Sequence, residues 1–169
     1  YGIEWETCSV WVQITEQSPD ISQGVTEEKG LHKEQGAGDQ GMMYGYACNE
    51  TKELMPLPIT LAHKLTKQLS RIRREQTIPY LRPDGKSQVS IEYNEKGEPI
   101  RANTIVVSTQ HDGAISHDKI KKDVIKHVIT PICEDWIDKN TIFHVNPTGE
   151  FVRGGPYADA GLTGRKIIV

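Results

Sequence analysis

The sequence predicts an α+β fold, a mixed β-sheet with helices packed on one face. Three patterns predict it. Leu61, Leu65, Leu69 and Ile72 recur at helical spacing. Val89, Ile91 and Tyr93 alternate ahead of a turn and the run Thr104-Ile105-Val106-Val107-Ser108. Ile120, Val124 and Val128 share a second helical face, followed by the short strand-like stretch 141–145. Periods near 3.6 and 2, in that order along one chain, specify helices laid against a sheet.

Taken in order, Val10, Val12 and Ile14 alternate with Ser9, Trp11 and Gln13, which predicts a strand with one buried face. Ser18-Pro19-Asp20 breaks it. Residues 24–41 hold five glycines and the charged Glu27-Glu28-Lys29 with almost nothing to bury, the composition of a long mobile loop that serves as a lid or binding loop. Residues 42–46 re-enter a strand. A helix is expected over 58–76, after Pro56 and Pro58, with Lys64, Lys67, Arg71 and Arg74 on a solvated face. The hairpin turns at Asn94-Glu95-Lys96-Gly97. Ser116 is the expected cap of the second helix, which Pro131 ends or kinks. A last strand is expected over 167–169, where the sequence reads as cut.

With 169 residues the chain is about the size of one domain. Twenty Lys and Arg against 23 Asp and Glu leave a net charge of −3, with the basic residues dispersed, which argues against a nucleic-acid binder. No run approaches the roughly 20 apolar residues that cross a bilayer, and no signal-peptide pattern opens the chain. A cytoplasmic setting is expected. Cys8, Cys48 and Cys133 match neither a disulfide framework nor a zinc site and read as reduced thiols, two or three of them buried.

Three clusters could carry chemistry. Gly36-Ala37-Gly38-Asp39-Gln40-Gly41 is either a tight turn or a close approach to a ligand. Arg82-Pro83-Asp84-Gly85-Lys86-Ser87 reads as a turn that sets a carboxylate and an ammonium before a strand. In 151–166, glycine turns frame Asp159 and end in adjacent cations, Arg165 and Lys166, which repel one another unless water or an anion such as a polyphosphate intervenes. The six histidines show no metal-ligand spacing and read as structural or exposed, and no metal ligand is assigned. Ser108-Thr109-Gln110-His111 is a polar run at a strand end without an assignable acid partner, so no triad is drawn.

The segment Gly36-Ala37-Gly38-Asp39-Gln40-Gly41-Met42-Met43-Tyr44-Gly45-Tyr46-Ala47 resembles a signature of S-adenosylmethionine synthetase, the methionine adenosyltransferases. So, in the same order, do Ser18-Pro19-Asp20-Ile21-Ser22-Gln23-Gly24, Leu81-Arg82-Pro83-Asp84-Gly85-Lys86-Ser87-Gln88-Val89 and Gly161-Leu162-Thr163-Gly164-Arg165-Lys166-Ile167-Ile168-Val169. The resemblance covers 18–169 closely and 1–17 loosely. It implies that residues 1–50 end an N-terminal domain with a gating loop at about 23–35, and that 51–169 form a central α+β domain.

The resemblance further implies synthesis of S-adenosylmethionine from ATP and L-methionine, with release of phosphate and pyrophosphate. Matched to family positions, Lys86, Arg165 and Lys166 act on the polyphosphate. Asp84, Gly85, Glu150, Phe151 and Asp159 complete the ATP site, with Phe151 stacking on adenine, and Gln23, Asp39 and Asp159 contact methionine. Mg²⁺ and K⁺ are implied with most of their ligands outside this chain, and a homodimer or dimer of dimers is expected. Glu150 stands where the family has a basic residue, Arg153 where it has an aliphatic one and Ala158 where it has glycine. The family's early Gly-His-Pro-Asp-Lys segment and a later glycine-rich segment have no match here. A catalytically incomplete portion that binds nucleotide or dimerises is therefore the alternative function.

Overall fold

A computed structural model describes residues 4–31, 33–36 and 44–159. Contacts divide the chain into two units, Trp5–Tyr46 and a larger one made of Tyr1–Glu4 with Ala47–Val169.

In the smaller unit the alternating segment is not a strand. Val10, Val12 and Ile14 are exposed, as is Trp11 at 94 %. Alternation makes a strand only beside another strand, and no described residue of this unit is in one. Ser18-Pro19-Asp20 does not simply break the chain but opens a short helix, α1 (Pro19–Ser22), with proline in its first turn, where no N–H is needed. The described part of the loop that follows is folded back on itself. Gly36 N–H donates to the Val25 carbonyl at 3.1 Å, and Glu28 N–H to that of Lys33 at 3.0 Å. Gly30, at φ +71°, leaves no room for a side chain, because a Cβ would lie 2.5 Å from the Gln23 carbonyl oxygen. Residues 37–43 lie outside the described residues, and Tyr44–Tyr46 form no strand.

The larger unit is built on α2 (Leu57–Arg74), β1 (Leu81–Tyr93) and β2 (Pro99–His111). Glu50 accepts the Leu57 N–H at 2.8 Å, satisfying one of the free donors at the start of α2. Gln76, at φ +56°, ends it. β1 and β2 pair antiparallel around a turn in which Asn94 Oδ1 accepts the N–H groups of Lys96 and Glu98, with Gly97 at φ +76°.

Ser116 stands at the head of α3 (His117–Val124), but its hydroxyl caps nothing. Nor does Pro131 end the helix. A π-helical turn, Ile125–Ile129, carries the chain into α4 (Thr130–Cys133). A proline ring clashes with the carbonyl four residues earlier and offers it no N–H. Here that carbonyl belongs to His127, the wider π turn accommodates the ring, and the Gln68 amide donates to the freed oxygen at 2.8 Å.

β3 (Ile142–Val145) then pairs parallel to β2, giving a mixed sheet in the order β1-β2-β3. The intervening helices make the crossover that parallel pairing requires. Leu65, Ile105, Val107, Val124, Val128 and Ile129 are all 0 % exposed in one core between helices and sheet. Each contributes about 1.5–3 kcal/mol by leaving water. Of the cysteines only Cys133 is buried; Cys48 is half-buried and Cys8 exposed. Cys8 lies in the segment that gained no partner strand.

Candidate functional site

The stretch 82–87 belongs to β1 rather than to a turn before it. Leu81 pairs with His111 and Gly85 with Thr109, so residues 82–84 of β1 stand opposite Gln110 alone. This bulge bends the strand and re-aims its side chains. Arg82 Nε donates to Asp112 Oδ1 at 2.6 Å, and Asp84 Oδ2 accepts the Gly155 N–H at 2.8 Å. Past the bulge, Ser87 turns toward α2, its hydroxyl on the Ala62 carbonyl at 2.7 Å. Lys86 and Gln88 therefore occupy the face without helices.

The chain beyond β3 returns across the end of β2. Asn146, 2 % exposed and at φ +42°, continues the sheet with its side chain. Its Oδ1 accepts the Thr109 N–H at 2.8 Å, and its Nδ2 donates to the Thr109 carbonyl at 3.0 Å. His117 Nε2 bonds the carbonyls of Val145 and Asn146 at 2.9 and 3.2 Å. After Gly149 (φ +101°) the chain meets β2 again. His111 N–H donates to the Phe151 carbonyl at 3.0 Å, and Phe151 N–H to His111 Nε2 at 3.1 Å. Gln110 Nε2 donates to the Val152 carbonyl at 3.0 Å. At Gly154 a Cβ would lie 2.8 Å from Gln110 Cδ and 3.0 Å from Asp84 Cβ, so only glycine fits without moving either side chain.

A cleft of about 420 Å³ results on the helix-free face, with Lys86, Gln88, Ser108, Thr148, Glu150 and Phe151 among its walls. Lys86 Nζ sits 5.9 Å from the centroid of the Phe151 ring. A flat aromatic face beside a cation and hydroxyls suits a planar base attached to an anionic group. A larger cleft, about 770 Å³, runs along α2 by Lys64, Lys67, Arg71 and Arg74. Its described lining has no Phe, Tyr or Trp, and its one ring is the His63 imidazole. Lys64 pairs there with Glu53 at 3.0 Å, the main reason the Glu53 carboxyl is held below its usual range, and Arg71 donates to Gln68.

Of the residues singled out in the sequence, Lys86, Glu150 and Phe151 meet in the smaller cleft. Gly85 adjoins it in β1, and Asp84 stands behind it, tethering Gly155. Asp159 is exposed just beyond a 3₁₀ turn, Gly155–Tyr157, its N–H on the Gly155 carbonyl at 3.2 Å. Gln23 belongs to the smaller unit, where its amide donates to the Asp20 carbonyl at 3.0 Å. Asp39, Arg165 and Lys166 lie outside the described residues, as does the stretch 167–169. Among the described residues no three or more His, Cys, Asp or Glu side chains converge as a metal site.

Gln110 and His111 stand out in the sequence only as part of the polar run 108–111, without a role, and Asn146 does not stand out at all. Thr109, Gln110 and His111 are 1 %, 5 % and 2 % exposed. A polar run closing an alternating apolar strand was the available signal, since buried polar side chains require specific partners.

The fold and cleft define an α+β module that presents a cation and an aromatic ring on the open face of a mixed sheet. The family model described as S-adenosylmethionine synthetase, central domain, matches residues 34–151, and the chain belongs to that family. The S-adenosylmethionine synthase of Desulfosudis oleivorans is 56 % identical over 169 residues, covering 99 % of this chain. The chain spans 43 % of the length of that relative.

Proposed function

We propose that the chain takes part in S-adenosylmethionine synthesis from ATP and L-methionine, its cleft seating the nucleotide. The observation that carries this reading is the meeting of Lys86 and Phe151 in one cleft. Phe151 stacks on adenine, while Lys86, joined by Arg165 and Lys166, binds the polyphosphate. Asp84, Gly85, Glu150 and Asp159 complete the nucleotide's surroundings, and Gln23, Asp39 and Asp159 those of methionine. The methionine sulfur attacks the 5′ carbon of ATP and the triphosphate leaves, to be hydrolysed to pyrophosphate and phosphate. No bond to the protein forms. The side chains align sulfur with carbon and offset the charge gathering on the leaving group.

Mg²⁺ and K⁺ come to this reading from the family. Near the cleft the described residues offer the exposed Glu150 carboxylate, too few donors to hold a hard cation without phosphate oxygens, so no step is derived through metal. Away from Lys86, the helix-free face carries Gln88, Ser90, Thr104, Val106 and the half-exposed Ile142, a stretch of neutral side chains suited to a second copy in a homodimer or dimer of dimers. Residues 1–50 act as the end of an N-terminal domain whose loop at 23–35 closes over the site, and 51–169 as the central domain. The setting is cytoplasmic. No described helix is long and apolar enough to cross a membrane.

The second reading, a nucleotide-binding or dimerising portion without catalysis, needs only the cleft of Lys86 and Phe151 and the neutral part of the open face. Calorimetric titration with Mg·ATP and methionine, beside an assay for S-adenosylmethionine, separates the two. Nucleotide binding weakened at least about tenfold by Lys86→Ala is expected. Product formation selects the enzyme, and binding without product the alternative. Absence of nucleotide binding, or binding indifferent to both Lys86→Ala and Phe151→Ala, overturns the nucleotide reading.

A further inference from the structure

We propose that His111 is a positioning residue for the nucleotide cleft: a neutral ring that accepts the Phe151 N–H at Nε2 and thereby holds the Phe151 side chain beside Lys86. The proposal rests on reading the cleft as a nucleotide site.

The geometry fixes the tautomer. A backbone N–H can only donate, so Nε2 of His111, 3.1 Å from Phe151 N, carries no proton. A carbonyl can only accept, so Nδ1, 2.8 Å from the Asp112 oxygen, is the protonated nitrogen. With its own N–H on the Phe151 carbonyl, His111 clasps both backbone polar groups of Phe151. Gln110 and Asp84 hold the next turns of the same segment through Val152 and Gly155. These bonds fix the main chain from 151 to 155. Of these bonds, the one from the Phe151 N–H ends on a ring nitrogen that can itself take up a proton.

Protonation of Nε2 sets one N–H against another and breaks the clasp at the aromatic residue while leaving its neighbours tied. The charged and titratable groups facing this end of the sheet are Arg82 and Asp84 from β1, Asp112 beside the ring, Arg153 and Tyr157 from the returning segment, and Glu4 from the start of the chain. Arg82 and Asp112 are already paired with each other.

The chain has two phenylalanines, Phe143 and Phe151, so fluorophenylalanine labelling yields one signal from the cleft and one internal control. Nitrogen-15 spectra at neutral pH are expected to show His111 protonated at Nδ1 and bare at Nε2. Acid that protonates the ring is expected to move the Phe151 fluorine signal and not that of Phe143. His111→Leu displaces the Phe151 signal at every pH and weakens Mg·ATP binding about tenfold. His111→Gln, whose amide oxygen reaches the position of Nε2, keeps the signal near its original place and abolishes the acid step.

A proton on Nε2 at neutral pH, a Phe151 signal indifferent to acid, or Gln and Leu variants that behave alike each overturn the proposal. If His111→Leu does not fold, the tautomer and the acid titration of the unaltered chain decide it. If Mg·ATP does not bind the unaltered chain, the nucleotide reading fails while the spectra still decide the clasp.

Discussion

On the helix-covered side of the sheet Ile105, Val107 and Val145 are at most 3 % exposed, whereas the alternate positions of the same strands present Lys86, Gln88, Ser108 and His144. One face is bound by volume and water exclusion. The other is free of that demand, and its register places a cation opposite a serine with an aromatic ring arriving from a later segment. Because side chains alternate, a residue on the open face can change without disturbing packing, while a slip of one position would exchange the two faces. The fold is thus specified by one set of residues and the chemistry by their neighbours.

Substitutions on the two faces should differ most in stability. Ile105→Ala removes a side chain that is 0 % exposed and should cost about 2–5 kcal/mol in urea unfolding. Gln88→Ala, exposed on the other face, should stay within about 0.5 kcal/mol. Equal losses would mean that the open face is packed as well.

Where the faces meet, Asn146→Ala leaves the Thr109 N–H and carbonyl without the amide that satisfies them, at about 1–3 kcal/mol for each buried group. It should also speed hydrogen exchange at Thr109. Unchanged exchange would show that the side chain is not the surrogate strand described.

Alkaline pH should strain the helix side. Burial pushes the Cys133 thiol from 9.0 up to about 12, so the folded state keeps a proton that the unfolded chain releases. That contribution is complete below pH 9.0 and is lost as pH rises toward about 12. Cys133→Ala should flatten this part of the stability–pH curve. In the native protein Cys8 should be alkylated readily and Cys133 should resist.

What was legible in the sequence follows from which interactions are local. The spacing of Leu61, Leu65 and Leu69, and the Asn94–Gly97 turn, determine α2 and the hairpin through residues close in the chain. Val10 to Ile14 show the limit, because alternation states only that one face could be buried and not that a partner exists. The β1 bulge was missed for a related reason: two extra residues opposite Gln110 are visible only once both strands are paired. Whether Pro131 ends or only kinks its helix was open in the sequence, because Gln68, which satisfies the freed His127 carbonyl, lies 59 residues before it. At the site, Lys86 and Phe151 were found through family motifs. His111 stands out in the sequence only within a polar run, its role unassigned, since its partner is a backbone group 40 residues away that has no sequence signature.

The central claim is that the open face, and not the helix side, receives the nucleotide. Phe151 and Phe143 report on those two places, the one in the cleft and the other packed against the core. Fluorine spectra of the labelled chain titrated with Mg·ATP should show a saturable shift at Phe151 that Lys86→Ala weakens, with Phe143 unmoved. A stationary Phe151 signal at saturating nucleotide, or a shift at Phe143 alone, would contradict the account.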